Sequence, residues 1–319
     1  MSAEGSRKVV LAALAGNALI SITKFAASAY TGSSAMLSEA IHSIVDTGNQ
    51  GLILYGMARA RKPADNTHPF GYGMELYFWS FVVAILIFGV GAGVSVYEGI
   101  DKIQHPQAIT DAYINYLVLG AAFLFEGGAW WVAMQEFRRS KGDKGYFAAV
   151  RQSKDAAVFT VLFEDTAATL GLIVAFVGIA LGQAFDMPIM DGLASVMIGL
   201  ILATVAAFLA FECKSLLVGE SANSPVVREL RGIVENTDGV IHVNELLTMH
   251  LGPRDILVNI SLDFADQLSA NNVEKTISQI ERNIKSAFPQ VKRLFVEAQS
   301  RRGHLADIKA HTPPSGPPV

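Results

Sequence analysis

Six apolar stretches, at about residues 8–30, 34–58, 75–99, 112–136, 156–182 and 190–212, constrain this chain more than any other feature. Each approaches or exceeds the roughly 20 residues that a helix needs to cross the hydrocarbon of a bilayer. With 51% hydrophobic and only 17% charged residues among 319, the composition points the same way. Arg7 and Lys8 lead straight into a full-length span, unlike the short apolar run of a cleavable signal. The net charge of −4 carries no sign of nucleic-acid binding, and the single cysteine, Cys213, excludes an internal disulfide or a thiolate cluster. Cys213 reads as a packing residue.

Basic residues set the expected orientation. Arg7 and Lys8 precede the first span, and Arg59, Arg61 and Lys62 follow the second. Arg138, Arg139, Lys141, Lys144, Arg151 and Lys154 lie between the fourth and fifth, whereas the opposite loops carry only Lys102. The positive-inside rule then places both termini in the cytoplasm.

After Lys214 the pattern becomes that of a soluble domain. Ser224-Pro225 predicts a helix start, a cap followed by proline, and Val226, Val227, Leu230, Ile233 and Val234 form an apolar stripe behind it. Gly239 to Met249 reads as a strand, and Asp255 to Phe264 alternates as a half-buried one. A helix capped by Ser269 and a last strand from Val291 to Ala298 complete the order. The expected fold is an all-α membrane domain of six helices over 1–218. A small α+β domain, α-β-β-α-β, follows over 219–300, with a disordered tail over 301–319.

Ionisable residues inside the spans carry the functional expectation. His42 and Asp46 are spaced i, i+4 in the second span and share one helix face, so both can reach one ion. A charged side chain at mid-bilayer costs about 2.5–3.5 kcal/mol on insertion scales, so such residues default to a functional role. The alternative is a hydrogen-bonded polar pair that holds helices together. Glu39 lies three residues before His42 and Asn49 three beyond Asp46, near the same face. The fifth span contributes Glu164 and Asp165, which point about 100° apart, so only one is expected to face the pair directly. Imidazole suits zinc and other late divalent metals, and carboxylate admits harder ions; four such groups from two helices could make a tetrahedral site. Asn17, Lys24, Glu75, Glu126 and Asp191 read as structural, with Lys24 snorkelling outward or pairing with an acid and Glu126 as a possible proton carrier.

The stretch from Ser38 to Gln50, with its HSIVD core, and the stretch from His68 to Leu76, with HPFGYG, are similar to the cation diffusion facilitator family of divalent-metal transporters. With the six spans and the C-terminal domain, the resemblance covers about residues 8–300. It implies a homodimer in the lipid bilayer that exports zinc, or iron, manganese or cobalt, from the cytoplasm in exchange for protons. It also implies a transport site of two residues on the second span, matching His42 and Asp46, and two on the fifth. There the family often has His-x-x-x-Asp. Asp165 matches the aspartate, Val161 stands where the histidine would be, and Glu164 resembles the substitute of a Glu-Asp subgroup. In the loop, Asp65 and His68 match but Tyr72 replaces a second histidine. In the C-terminal domain Asn244, Ser261 and Glu297 stand near positions that bind zinc in some relatives, with His242 and His250 at other offsets. That domain is therefore expected to fold and self-associate without metal.

No cofactor is implied beyond the transported ion. No nucleotide-binding loop is present, and the HExxH pattern of an intramembrane metal hydrolase is absent. The remaining rival is a non-transporting membrane scaffold or partner subunit.

Overall fold

The computed structural model describes residues 3–141, 145 and 154–311. Lys144, Arg151 and the tail beyond 311 lie outside them. The chain divides into two units, one made of 1–63 and 74–215, the other of 64–73 and 216–319.

The first unit holds six long helices: α1 (Ala3–Thr31), α2 (Ser34–Ala60), α3 (Glu75–Gln104), α4 (Ala112–Lys141), α5 (Ala156–Ala184) and α6 (Ile189–Val218). Four of them, α3 to α6, are long and apolar enough over their described residues to cross a membrane. The helix α2 matches them in length but carries Glu39, His42, Asp46 and Arg59. It tolerates them because it lies against neighbouring helices on several sides, with Glu39 and His42 buried there.

Small residues let these helices approach. A Cβ on Gly99 of α3 would meet the Gly192 carbonyl of α6 at 2.7 Å, a close backbone approach of the kind small residues permit. A six-residue π segment, Ile87–Ala92, interrupts α3. Cys213 is fully buried, as a packing residue should be.

The N-terminus of α2 is capped twice. Ser33 Oγ accepts from the Met36 N–H at 3.1 Å. Asp191, at the start of α6, accepts from the Ser34 and Ala35 N–H groups at 2.7 and 3.3 Å. The Asp191 carboxylate also takes the Ser33 and Ser34 hydroxyls, at 2.6 and 3.1 Å. A carboxylate at a helix N-terminus satisfies orphan donors and complements the dipole. Asp191 is therefore structural, as expected.

The second unit is the expected α+β domain. Helix α7 (Ser224–Glu235) is followed by β1 (Val240–Gly252), β2 (Asp255–Phe264), α8 (Ala270–Ala287) and β3 (Val291–Ala298). The strand order is β1-β2-β3, with β1 and β2 antiparallel and β2 and β3 parallel. Alternation places Ile256, Val258, Ile260 and Leu262 of β2 in a core with Leu230 and Val234 of α7 and Ile280 and Ile284 of α8. The α7 cap is Asn223 rather than Ser224, because Pro225 occupies the second helical position instead of the first. Ser269 caps α8 as expected. Residues 301–311, expected as tail, form a further helix, α9 (Arg301–His311). It is tethered where the Gln299 amide donates to Asp307 Oδ2 at 2.7 Å and the Arg301 N–H to Asp263 Oδ2 at 3.1 Å.

Candidate metal-transport site

Three of the four expected ligands, His42, Asp46 and Asp165, line one cavity of about 530 Å³ between α1, α2, α4 and α5. Asn17, Gln50 and Glu126 share its wall. Helical spacing puts His42 and Asp46 on the α2 face that packs toward α5, so the two polar clusters of the sequence meet.

His42 is only 3% exposed, and neither ring nitrogen has a hydrogen-bond partner. A buried imidazole normally satisfies at least one nitrogen, because an unpaired buried polar group costs roughly 1–3 kcal/mol. The Asp46 carboxylate accepts from the Gln50 amide at 3.5 Å through one oxygen, while the other has no partner.

Glu164 is buried beside this group. It takes the Asn49 amide at 2.8 Å through Oε1 and leaves Oε2 unpartnered. Of the two carboxylates on α5, Asp165 lines the cavity with His42 and Asp46, whereas Glu164 is engaged by Asn49 beside it. Among the described residues, no three His, Cys, Asp or Glu side chains are yet drawn together closely enough to hold an ion. Three of the four candidates surround a space instead of converging on a point, with Glu164 buried beside them.

The sequence reading left Lys24 with two fates, and the structure gives it the paired one. Lys24 is fully buried and contacts Glu39 Oε2 at 3.1 Å and Glu126 Oε1 at 2.9 Å. Glu75 is structural, held by Arg59 at 2.8 Å and by the Trp79 indole at 2.9 Å. One connection had no signature in the sequence: the buried Ser38–Ser195 hydroxyl pair between α2 and α6. The Asn49–Glu164 bond joins two residues that the sequence singled out separately.

In the second unit the loop residues form a closed polar turn. Asp65 accepts the Tyr72 hydroxyl at 2.7 Å, the Thr67 N–H and hydroxyl at 2.9 and 2.8 Å, and the His68 N–H at 2.7 Å. The Tyr72 hydroxyl above all, with the Thr67 and His68 bonds, holds its carboxyl well below the usual range. Tyr72 thus uses the aspartate that a second histidine would share with a metal. Asn244 donates to the Gln299 carbonyl at 2.8 Å and lies 3.4 Å from Ser261, so those positions are joined by hydrogen bonds. His242 and His250 are eight residues apart on β1, about 27 Å at strand rise, too far to share an ion.

These features define a class: a multi-pass membrane protein with a polar cavity among its helices and a small α+β domain outside them. The model of the cation efflux transmembrane domain matches residues 10–218, and that of the cation efflux protein cytoplasmic domain matches residues 222–298. The chain belongs to this cation efflux family, the cation diffusion facilitators. It is 35% identical over 263 residues to the mitochondrial proton-coupled zinc antiporter SLC30A9 of Homo sapiens, covering 82% of this chain and 46% of that protein. It is 27% identical to metal tolerance protein C4 of Arabidopsis thaliana, over 86% of this chain and 61% of the relative. It is 22% identical to the manganese efflux system protein MneP of Bacillus subtilis, over 91% and 95%. The chain thus spans about half the length of the human relative.

Proposed function

We propose that this protein exports a divalent metal cation, zinc first, by exchange for protons at a site formed by His42, Asp46, Glu164 and Asp165. The observation that carries this reading is His42, buried with both ring nitrogens unpartnered in a cavity it shares with Asp46 and Asp165. Neutral imidazole and carboxylate are the donors zinc takes, and one imidazole among carboxylates also admits manganese, iron or cobalt. The names of the zinc and manganese relatives support the same range.

The cavity follows the middle of α1 and α2, the middle and later part of α4 and the earlier part of α5, and so extends toward the end where α5 begins. The opposite end of α2 is pinned by Asp191. This arrangement supports alternating access, with the cytoplasm reaching the site first and the Asp191 end opening later. Entry of the cation draws the four ligands together and displaces protons from them, and protons from the far side return to release it. Both termini would be cytoplasmic, and two copies would pair through the α+β domains. The test is metal flux into liposomes containing the purified protein, with a metal dye and a pH dye inside. Zinc flux with opposite proton movement, lost in Asp46→Ala, supports the exchanger. Absence of flux for zinc, manganese, iron and cobalt alike would leave a non-transporting subunit.

A further inference from the structure

The Lys24 ammonium donates to three acceptors: Glu39 Oε2 at 3.1 Å, Ser43 Oγ at 2.8 Å and Glu126 Oε1 at 2.9 Å. Its three N–H groups are thereby used. Ser43 and Glu126 line the same cavity as His42, Asp46 and Asp165, so two of the three acceptors of Lys24 belong to the cavity wall. Through Ser43 and Glu126 the lysine charge is held directly behind the wall that carries His42 and Asp46. Glu39 and Glu126 each keep one buried oxygen without a partner. A methyl group on Gly171 of α5 would overlap that free Glu39 oxygen, so α5 closes over the triad from the other side.

Buried ion triads are poor stabilisers, since well-packed apolar residues of similar volume often serve stability as well or better. Stability alone therefore does not account for a lysine here. Its charge opposes that of the arriving cation, and its bonds occupy two carboxylates that could otherwise bind it.

We propose that Lys24 is a positioning residue for transport, a tethered counter-cation that keeps Glu126 and Glu39 out of the ion's ligand set and so weakens cation binding enough for release. This rests on the transport reading above. With Lys24 present, the ion meets His42, Asp46, Glu164 and Asp165. Without it, the ion also meets Glu126, whose free oxygen belongs to a residue of the same wall. Tight binding of this kind slows export, because the bound ground state is stabilised more than the route out.

The test uses the full chain, with zinc titrated calorimetrically into purified protein and zinc flux measured in liposomes. Lys24→Met should tighten zinc binding by at least about tenfold, as removal of a nearby unit charge in a partly dehydrated site would. The maximal rate should fall with it, so that KM and kcat drop together. Lys24→Arg, which keeps the charge, should stay near the parental values. Adding Glu126→Gln and Glu39→Gln to Lys24→Met should restore the parental affinity. If Lys24→Met does not fold, Lys24→Met with Glu39→Gln leaves Glu126 as the freed carboxylate and carries the same expectation. An affinity unchanged or weakened in these folded variants, or a rate loss without tightening, overturns the proposal and leaves Lys24 as a structural link. Asp46→Ala, measured alongside, separates the two readings. If it keeps zinc binding, the site assignment has failed; if it loses binding while Lys24→Met changes nothing, only the role of Lys24 has failed.

Discussion

The two units of this protein are built inside out relative to each other. The α+β domain hides Val258, Ile260, Leu262, Ile280 and Ile284 and turns charged side chains such as Glu281 and Lys285 outward. The helical unit hides Lys24, Glu39, His42, Glu164 and Asp191 and exposes Leu124, Phe176 and Leu200. In water the apolar core drives folding. In lipid the tails are as apolar as leucine, so packing and interhelical polar contacts hold helices together. In the proposed exchange, the same interior that holds the bundle together would bind the cation, and polar side chains are concentrated where the soluble domain keeps hydrocarbon.

The sharpest way to break this contrast is to empty the polar interior. His42→Ala and Asp46→Ala should each weaken metal binding by more than the roughly 10–100-fold that loss of an outer-sphere partner costs, and should nearly abolish flux. Both variants should elute and melt like the parent, since neither side chain holds a helix in place. Parental flux in either would return the pair to a structural role.

The corresponding change in the soluble unit is Ile260→Ala, at a fully buried position. It should cost about 2–5 kcal/mol of stability in that domain, seen as a lowered melting transition, while zinc affinity at the membrane cavity stays parental. A loss of zinc affinity there would mean that the two interiors are not independent.

Gly171→Ala probes where the comparison is tightest, because its methyl group would overlap the Glu39 carboxylate. The expected cost is about 1–3 kcal/mol from overpacking, with reduced flux, and Glu39→Gln should not relieve it because the amide has nearly the same volume. Melting and flux measurements on the single and double variants check both statements.

The smallest effect concerns the loop. The Asp65 carboxyl titrates below its ordinary value of about 3.9, so its contribution to loop order is complete above that value and is lost only as pH falls through the lower folded one. Tyr72→Phe removes the largest cause and should move the titration upward toward the ordinary value. The Asp65 carboxyl carbon followed by NMR reads this directly, and an unchanged midpoint would show that the backbone donors suffice.

Sequence alone determined the length of the spans, the common face of His42 and Asp46, and the α-β-β-α-β order with the buried face of β2. Each of these is a local property, set by helical or strand periodicity within one segment. The rotation of α7 and α8 was legible too, because an apolar stripe on a polar helix can only turn toward the core. Tertiary structure decided what the apolar spans could not express. A helix that is hydrophobic all round does not reveal which face meets which neighbour, so the partners of Lys24 on α2 and α4, the capping of α2 by Asp191 and the placing of Asp165 in the cavity of His42 and Asp46 were hidden. The fate of 301–311 was hidden for a related reason: a polar segment orders when particular partners hold its start, and Asp263 lies 38 residues away in the chain.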